Sequence, residues 1–270
     1  MTPTFDLNKI KFATDEATFQ RAVDLYESGK VTEVKERMGA FTAVVLGTKP
    51  YRVSVSAHRY NDGSCTCYLG QQGTLCKHMA ALALHAVTDG RLLSGEDKQQ
   101  RHKVECSGRR EALDKEELDA VKRSITESMK YIKPYSGPSR TWFANQDSLC
   151  EGCNRLSAIV SDLPVHKQTA EVLVKLLLRL DKKLQVGGVD DSNGTVGGFM
   201  GEVVGMLEEY AQVDPACIDA FEMLVGKQTC FDWEEPLVRI LALPPKKWTQ
   251  RRGTRIFLLN DIVLAFRHIV

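Results

Sequence analysis

Apolar residues change their spacing about two-fifths of the way along the chain. Between Asp15 and Ser28, Phe19, Ala22, Val23 and Tyr26 recur at helical intervals and predict an amphipathic helix. Gly29-Lys30 ends it, and Val31–Lys35, Ala40–Leu46 and Arg52–Ala57 read as three short strands, the last followed by an Asn61-Asp62-Gly63 turn. Met79 to Val87 contains no helix breaker and predicts a second helix. Residues 89–110 are polar and carry Gly90, Gly95 and Gly108, as a linker does. From Glu111 the spacing is helical throughout: Ala112–Tyr131, Ser139–Ser161, Val165–Leu184, Thr195–Ala211 with Asp191 or Asn193 as cap, a segment opened by Asp214-Pro215, Glu234–Leu243 and Arg255–His268. Seven helical segments with short connections predict a bundle or an array of helical hairpins, without a repeat of fixed period.

Within the first part, Cys65, Cys67, Cys76 and His78 form a C-x-C…C-x-H arrangement. Three sulfurs and one imidazole suit a tetrahedral zinc ion in a closed site. Gly70 and Gly73 allow the chain to fold back between the two pairs. One pair is expected on a strand-like knuckle, and the other at the start of a helix, whose positive end favours thiolate. The alternatives are three ordinary core cysteines, or a Cys65–Cys67 disulfide, whose very short ring strains the bond. A small sheet is marginal alone, so metal would supply much of its stability. The expected fold class is therefore α+β: a small zinc-stabilised antiparallel sheet with flanking helices over residues 1–88, a linker over 89–110, and a mostly α-helical, bundle-like domain over 111–270.

These residues resemble a known family. Cys65-x-Cys67, eight intervening residues, then Cys76-x-His78 and a helix of small residues and leucines look like a SWIM-type zinc finger. The lead-in Phe19-x-Arg21-Ala-x-x-Leu-Tyr26-x-x-Gly29-x-Val31 and the strands after it resemble the prokaryotic kind, over roughly residues 15–88. Residues 130–245 are similar to the carboxy-terminal part of some bacterial SWIM proteins. The resemblance implies zinc binding and a role in contacting DNA or partner proteins. It implies no reaction.

Composition narrows the partner. The 270 residues carry a net charge of +1, and 43% are hydrophobic, as in an ordinary soluble globular chain. No signal peptide and no apolar run long enough for a membrane span is apparent. Eight cysteines without a secretory signal fit a reducing compartment, and the chain is expected in the cytoplasm. Residues 1–134 hold 21 Lys and Arg against 18 Asp and Glu, and residues 135–270 hold 15 against 17, so any contact with nucleic acid must be local. Arg52, His58, Arg59 and Lys77, with Lys49 and Tyr60, flank the ligands and are the candidate nucleic-acid contacts, against a reading as solvated side chains. The basic runs Arg101–Arg110 and Lys246–Arg255 read as a solvated linker and an exposed connection; Trp248 in the latter offers a ring for stacking.

Two other features have weaker chemistry. Cys150-Glu-Gly-Cys153 has redox or half-site spacing but sits in a helical pattern with no second pair after it, which favours packing thiols. Gly187–Gly194 lacks the ligand register of a calcium loop and reads as a turn with a helix cap. His85 lies seven residues beyond His78 and could face the metal, though a packing role is the commoner one. No phosphate loop, nucleophile elbow or H-E-x-x-H is present. The expected function is a non-enzymatic zinc-binding adaptor, with a possible DNA contact and a protein partner. The alternative is a pure protein-interaction module beside a larger DNA-processing machine.

Overall fold

The structure is a computed structural model and describes residues 2–98, 103–138 and 142–242. The expected helix Arg255–His268, the Lys246–Arg255 run, and Arg101 and His102 lie outside the described residues.

Two aspartates open the first helices. Asp6 accepts from Lys9 N at 2.7 Å and Asp15 from Thr18 N at 2.9 Å, starting α1 (Leu7–Ala13) and α2 (Glu16–Glu27). The apolar stripe read from the sequence is the buried face of α2, with Leu25 added to it. Gly29 (φ +65°) turns the chain into a four-stranded antiparallel sheet of sequential order: β1 (Val31–Arg37), β2 (Ala40–Leu46), β3 (Pro50–Ser56) and β4 (Gly63–Cys65). Phe41, Ala43, Val45, Val53 and Val55 alternate with more exposed residues and face inward.

One irregularity breaks that alternation. Thr32 pairs with Val44 but Lys35 pairs with Thr42, so β1 carries one residue more than β2 between these pairs, with Glu33 at φ +52°. The bulge reverses the phase of the strand, and Lys35 and Arg37 stand on the outer face with Thr42 and Ala40.

After α3 (Tyr68–Gln71) comes α4 (Lys77–Thr88), in which every residue from His78 to Leu84 is buried. Its apolar character on all sides has a simple cause: α4 packs against α1 and α2 and against all four strands. The short α5 (Gly95–Lys98) is held to α2 by a Lys98–Glu27 ion pair, and Leu93 is buried in this first core.

A second core runs from Val104 to Ile240. It comprises α6 (Lys115–Ser128, opened by an Asp114/Glu117 capping box), α7 (Trp142–Ser161), α8 (Lys167–Gln185), α9 (Thr195–Val213) and α10 (Glu235–Leu241). Both candidate caps serve α9: Asp191 accepts from Val196 N and Gly197 N at 2.7 and 2.8 Å, and Asn193 from Thr195 N at 3.3 Å. Asp214-Pro215 does open a helix, but residues Pro215–Leu224 wind as 3-10 turns rather than α. In the stretch expected as a linker, residues 103–110 run along this core. Val104 N donates to Glu202, Glu105 N to Ser161 Oγ, and Ser107 Oγ to the Leu163 carbonyl. Arg109 and Arg110 donate to the carbonyls of Asp162 and Val213.

The seven-residue α1, which the sequence reading does not contain, joins the two cores through α7. Glu151 of α7 is wholly buried and ion-paired with Lys9 of α1 and, at 2.9 Å, with Arg155. The Arg155 guanidinium lies over both Phe12 and Tyr131, and Asn154 Nδ2 donates to the Phe12 carbonyl at 2.9 Å. A buried carboxylate of this kind needs both cations to offset its desolvation.

Glycine-to-alanine changes in two helices are expected to have opposite signs. Gly201 in α9 has nothing within 4 Å of an added Cβ, so Gly201→Ala should raise stability by about 0.5–1 kcal/mol. At Gly152 in α7 the Cβ would come 2.9 Å from Ile132 Cγ1, and Gly152→Ala should lower stability by about 1–3 kcal/mol. Urea unfolding of the two variants checks both.

Candidate metal centre

Each ligand is placed by a local backbone device. Cys65 ends β4, opposite Val53. Cys67 is the N-cap of α3, and its sulfur accepts from Gly70 N at 3.3 Å; Cys65 Sγ accepts from Cys67 N at 3.4 Å. Gly70 is required by close approach, since a Cβ there would lie 2.5 Å from both Cys65 Cβ and Cys65 O. Gly73 (φ +70°) reverses the chain toward Cys76. Cys76 is the N-cap of α4 without using its side chain to cap, and His78 stands in the first turn.

The four side chains converge. His78 Nδ1 is 3.7 Å from Cys65 Sγ and 3.9 Å from Cys76 Sγ, and the four ligand atoms lie within 4.8 Å of one another, all buried. A tetrahedral site with metal–sulfur bonds of ~2.3 Å and metal–nitrogen bonds of ~2.0 Å has S···N edges of about 3.5 Å. The donor set therefore fits a metal ion held by Cys65, Cys67, Cys76 and His78. The imidazole is oriented by packing: Tyr51 lies against it at 4.4 Å between ring centroids. Its Nε2 is buried without a hydrogen-bond partner among the described residues and faces Gly47, where a Cβ would come within 3.0 Å.

Electrostatics prepare the sulfurs for a cation. The Cys76 thiol is pulled down to about 4, first because Cys65 donates a hydrogen bond to it, with help from His78 and from the Met79 amide at the helix start. Cys65, as that donor and as a buried group, is pushed up.

The four candidate nucleic-acid contacts do not form one patch. Lys77 is half-buried between the ligands Cys76 and His78. Arg52 is exposed on the outer face of β3. His58 and Arg59 are exposed beyond the opposite end of β3, past Ser56. Tyr60 is core: it packs on Phe5 and bonds Thr14 Oγ1 at 3.0 Å, and burial pushes its hydroxyl up to about 12. Lys49 lies over the Tyr51 ring.

The outer sheet face holds cations the sequence reading missed. Cross-strand partners line up as Arg37–Ala40–Ser56, Lys35–Thr42–Ser54–Ser64 and Thr32–Val44–Arg52. Lys35, Arg37 and Arg52 are exposed and form no ion pair among the described residues. Alternation in β3 was a usable signal for Arg52. For Lys35 and Arg37 plain alternation from Val31 points inward, and only the bulge turns them out.

Other candidates resolve as structure. Cys150 and Cys153 lie on consecutive turns of α7, and no His or Cys joins them in a metal-sized cluster among the described residues. They border a cleft of about 690 Å³ with Asp147 and Glu202, but burial pushes the Cys153 thiol up, so no activated thiolate results. His85 stands edge-on to Tyr26, away from the ligands, as a packing residue. In the Gly187–Gly194 loop Asp190 accepts from Trp142 Nε1 at 3.0 Å, which together with the Asp191 cap leaves a turn rather than a calcium loop.

Residues 51–87 match the family model of the SWIM zinc finger, the segment that holds β4, α3, nearly all of β3 and α4, and the four ligands. No curated protein and no solved structure matches the chain. No helix among the described residues is long and apolar enough to cross a membrane.

Replacing Cys76 or His78 by Ser or Ala, respectively, should abolish stoichiometric metal binding and lower the melting temperature of the amino-terminal core; metal analysis and calorimetry check this. Metal binding must displace the thiol protons of its cysteine ligands, so affinity should fall as pH falls, by about tenfold per unit for each proton displaced. Release to a chromophoric chelator across a pH series measures that slope.

Proposed function

Taking the SWIM zinc finger of residues 51–87 as the starting point, we propose that the chain is a non-enzymatic zinc-binding adaptor that contacts nucleic acid and partner proteins through the surface its metal orders. Zinc is the ion we assign, because three thiolates and one imidazole suit its soft-borderline character and tetrahedral geometry. The observation that carries the reading is the closed donor set. Four protein ligands around one ion leave no position for water or substrate, so the metal's contribution is rigidity rather than Lewis-acid chemistry. The ion would fix β4 and α3 against α4, and with them the orientation of Arg52 and Lys77.

Unpaired Lys35, Arg37 and Arg52 support a phosphate-bearing partner despite the near-neutral whole chain. None of the eight cysteines is in a disulfide, in keeping with a reducing compartment such as the cytoplasm.

A second reading, a protein-interaction module without nucleic-acid contact, draws on the helical core. Phe231 is 80% exposed and held at φ +62°, a costly conformation for an aromatic residue. Val186 and Val225 are exposed nearby, where Gln185 Nε2 bonds the Gln228 carbonyl across to this turn.

Binding of the zinc-loaded chain to sheared cellular DNA and RNA should weaken with added salt and with metal removal. Arg52→Glu combined with Lys77→Glu should weaken it about tenfold or more. Fluorescence anisotropy measures this. Affinity indifferent to salt, metal and both reversals would reject the nucleic-acid contact. A protein partner retained after nuclease treatment, and lost in Phe231→Ala, would favour the second reading.

A further inference from the structure

Building on the nucleic-acid reading above, we infer that the outer face of the sheet is a track for single-stranded nucleic acid, with its phosphates on Lys35, Arg37 and Arg52 and an unpaired base stacked on Tyr68.

The face has the required chemistry in register. Its centre is made of small side chains, Thr42, Ser54 and Ser64, which line up across three strands and leave a shallow trough of about 400 Å³. Lys35 borders it on one side and Arg52 on the other, two strand spacings across and one two-residue step along, or about 12 Å apart, and Arg37 continues about 7 Å beyond Lys35 on the side away from Arg52. Glu33, at the bulge, is the one carboxylate among the lining residues and marks one end of the trough. The hydroxyls offer donors to phosphate and sugar without bulk that would keep a strand off the sheet.

Tyr68 extends this face toward the metal. Arg52 N donates to Thr66 Oγ1 and Thr66 N to the Arg52 carbonyl, both at 3.1 Å, so the β4–α3 junction is tied to Arg52. Tyr68 follows two residues later and is 77% exposed. Its neighbour Cys67 is a ligand, and Gln71 Nε2 donates to the Thr66 carbonyl, so metal binding would hold the ring at a fixed height. An exposed ring on a backbone fixed from both sides, two residues beyond the Thr66 that pairs with the free Arg52, is a platform on which an unpaired base can stack.

A duplex does not suit the same surface. Reading a major groove needs a protruding helix or ribbon. The helix nearest the metal, α4, is buried from His78 to Leu84, and α3 spans four residues.

The test uses the full zinc-loaded chain with labelled oligothymidine, oligouridine and a duplex of equal length, followed by anisotropy across a potassium chloride series. The expected result is that a single strand binds at least about tenfold tighter than the duplex, with log K falling against log salt at a slope of about −2, near −0.7 for each of three cations. Lys35→Glu or Arg52→Glu should reduce that slope. Tyr68→Ala should weaken single-strand binding about five- to hundredfold, and Tyr68→Phe should retain it, with metal content unchanged in both. Equal affinity for duplex and single strand, or Tyr68→Ala binding like the parent, would overturn this inference while leaving a nucleic-acid contact in place. Failure to bind any of the three would overturn both.

Discussion

Four ligand atoms crowded into a buried space less than 5 Å across join the end of an edge strand to the first turn of the helix on which the amino-terminal core is built. Everything between the ligand pairs depends on that junction. The segment from Thr66 to Leu75 contributes Cys67 but no other fully buried side chain, so hydrophobic burial does little to hold it. What holds it are the sulfur-directed amides of Cys67 and Gly70 and the close approach of Gly70 to Cys65, to which a metal ion on the four ligand atoms would add.

Much of this was legible beforehand, for reasons that can be named. Ligand spacing is a covalent property of the sequence, and strands with one buried face must alternate, so the four ligands, β2, β3 and α4 could be read directly. α1 could not: it has seven residues, a single buried one, and draws its stability from contacts with a helix some 140 residues away in sequence. The bulge in β1 was equally hidden, because one inserted residue leaves no compositional trace yet reverses which side chains face outward. Proximity in sequence also misled. Tyr60 and Arg59 are neighbours in the chain, but one is in the core and the other in solvent at the far end of the sheet from the ligands.

The pair Cys150 and Cys153 illustrates the same point from the other side. The thiols drew notice in the sequence, whereas the structure gives the work to the two residues between them. Glu151 carries the ion pairs that dock α1, and Gly152 lets α7 approach the chain at Ile132. Because Lys9 belongs to α1 and α1 also packs on α4, the docking of the two cores and the helix that bears two metal ligands share one mechanical element.

The bulged strand has one more consequence, for the company the protein keeps with itself. β1 and β4 are the free edges of the sheet, and open edges invite pairing with another copy. β4 is three residues long, too short to template an added strand. β1 is longer, but its kink and its alternating run of Glu33, Lys35, Glu36 and Arg37 make it a poor mate for a second β1. The sheet is thereby guarded against edge-to-edge polymerisation, and crowding many copies together need not convert them into fibres.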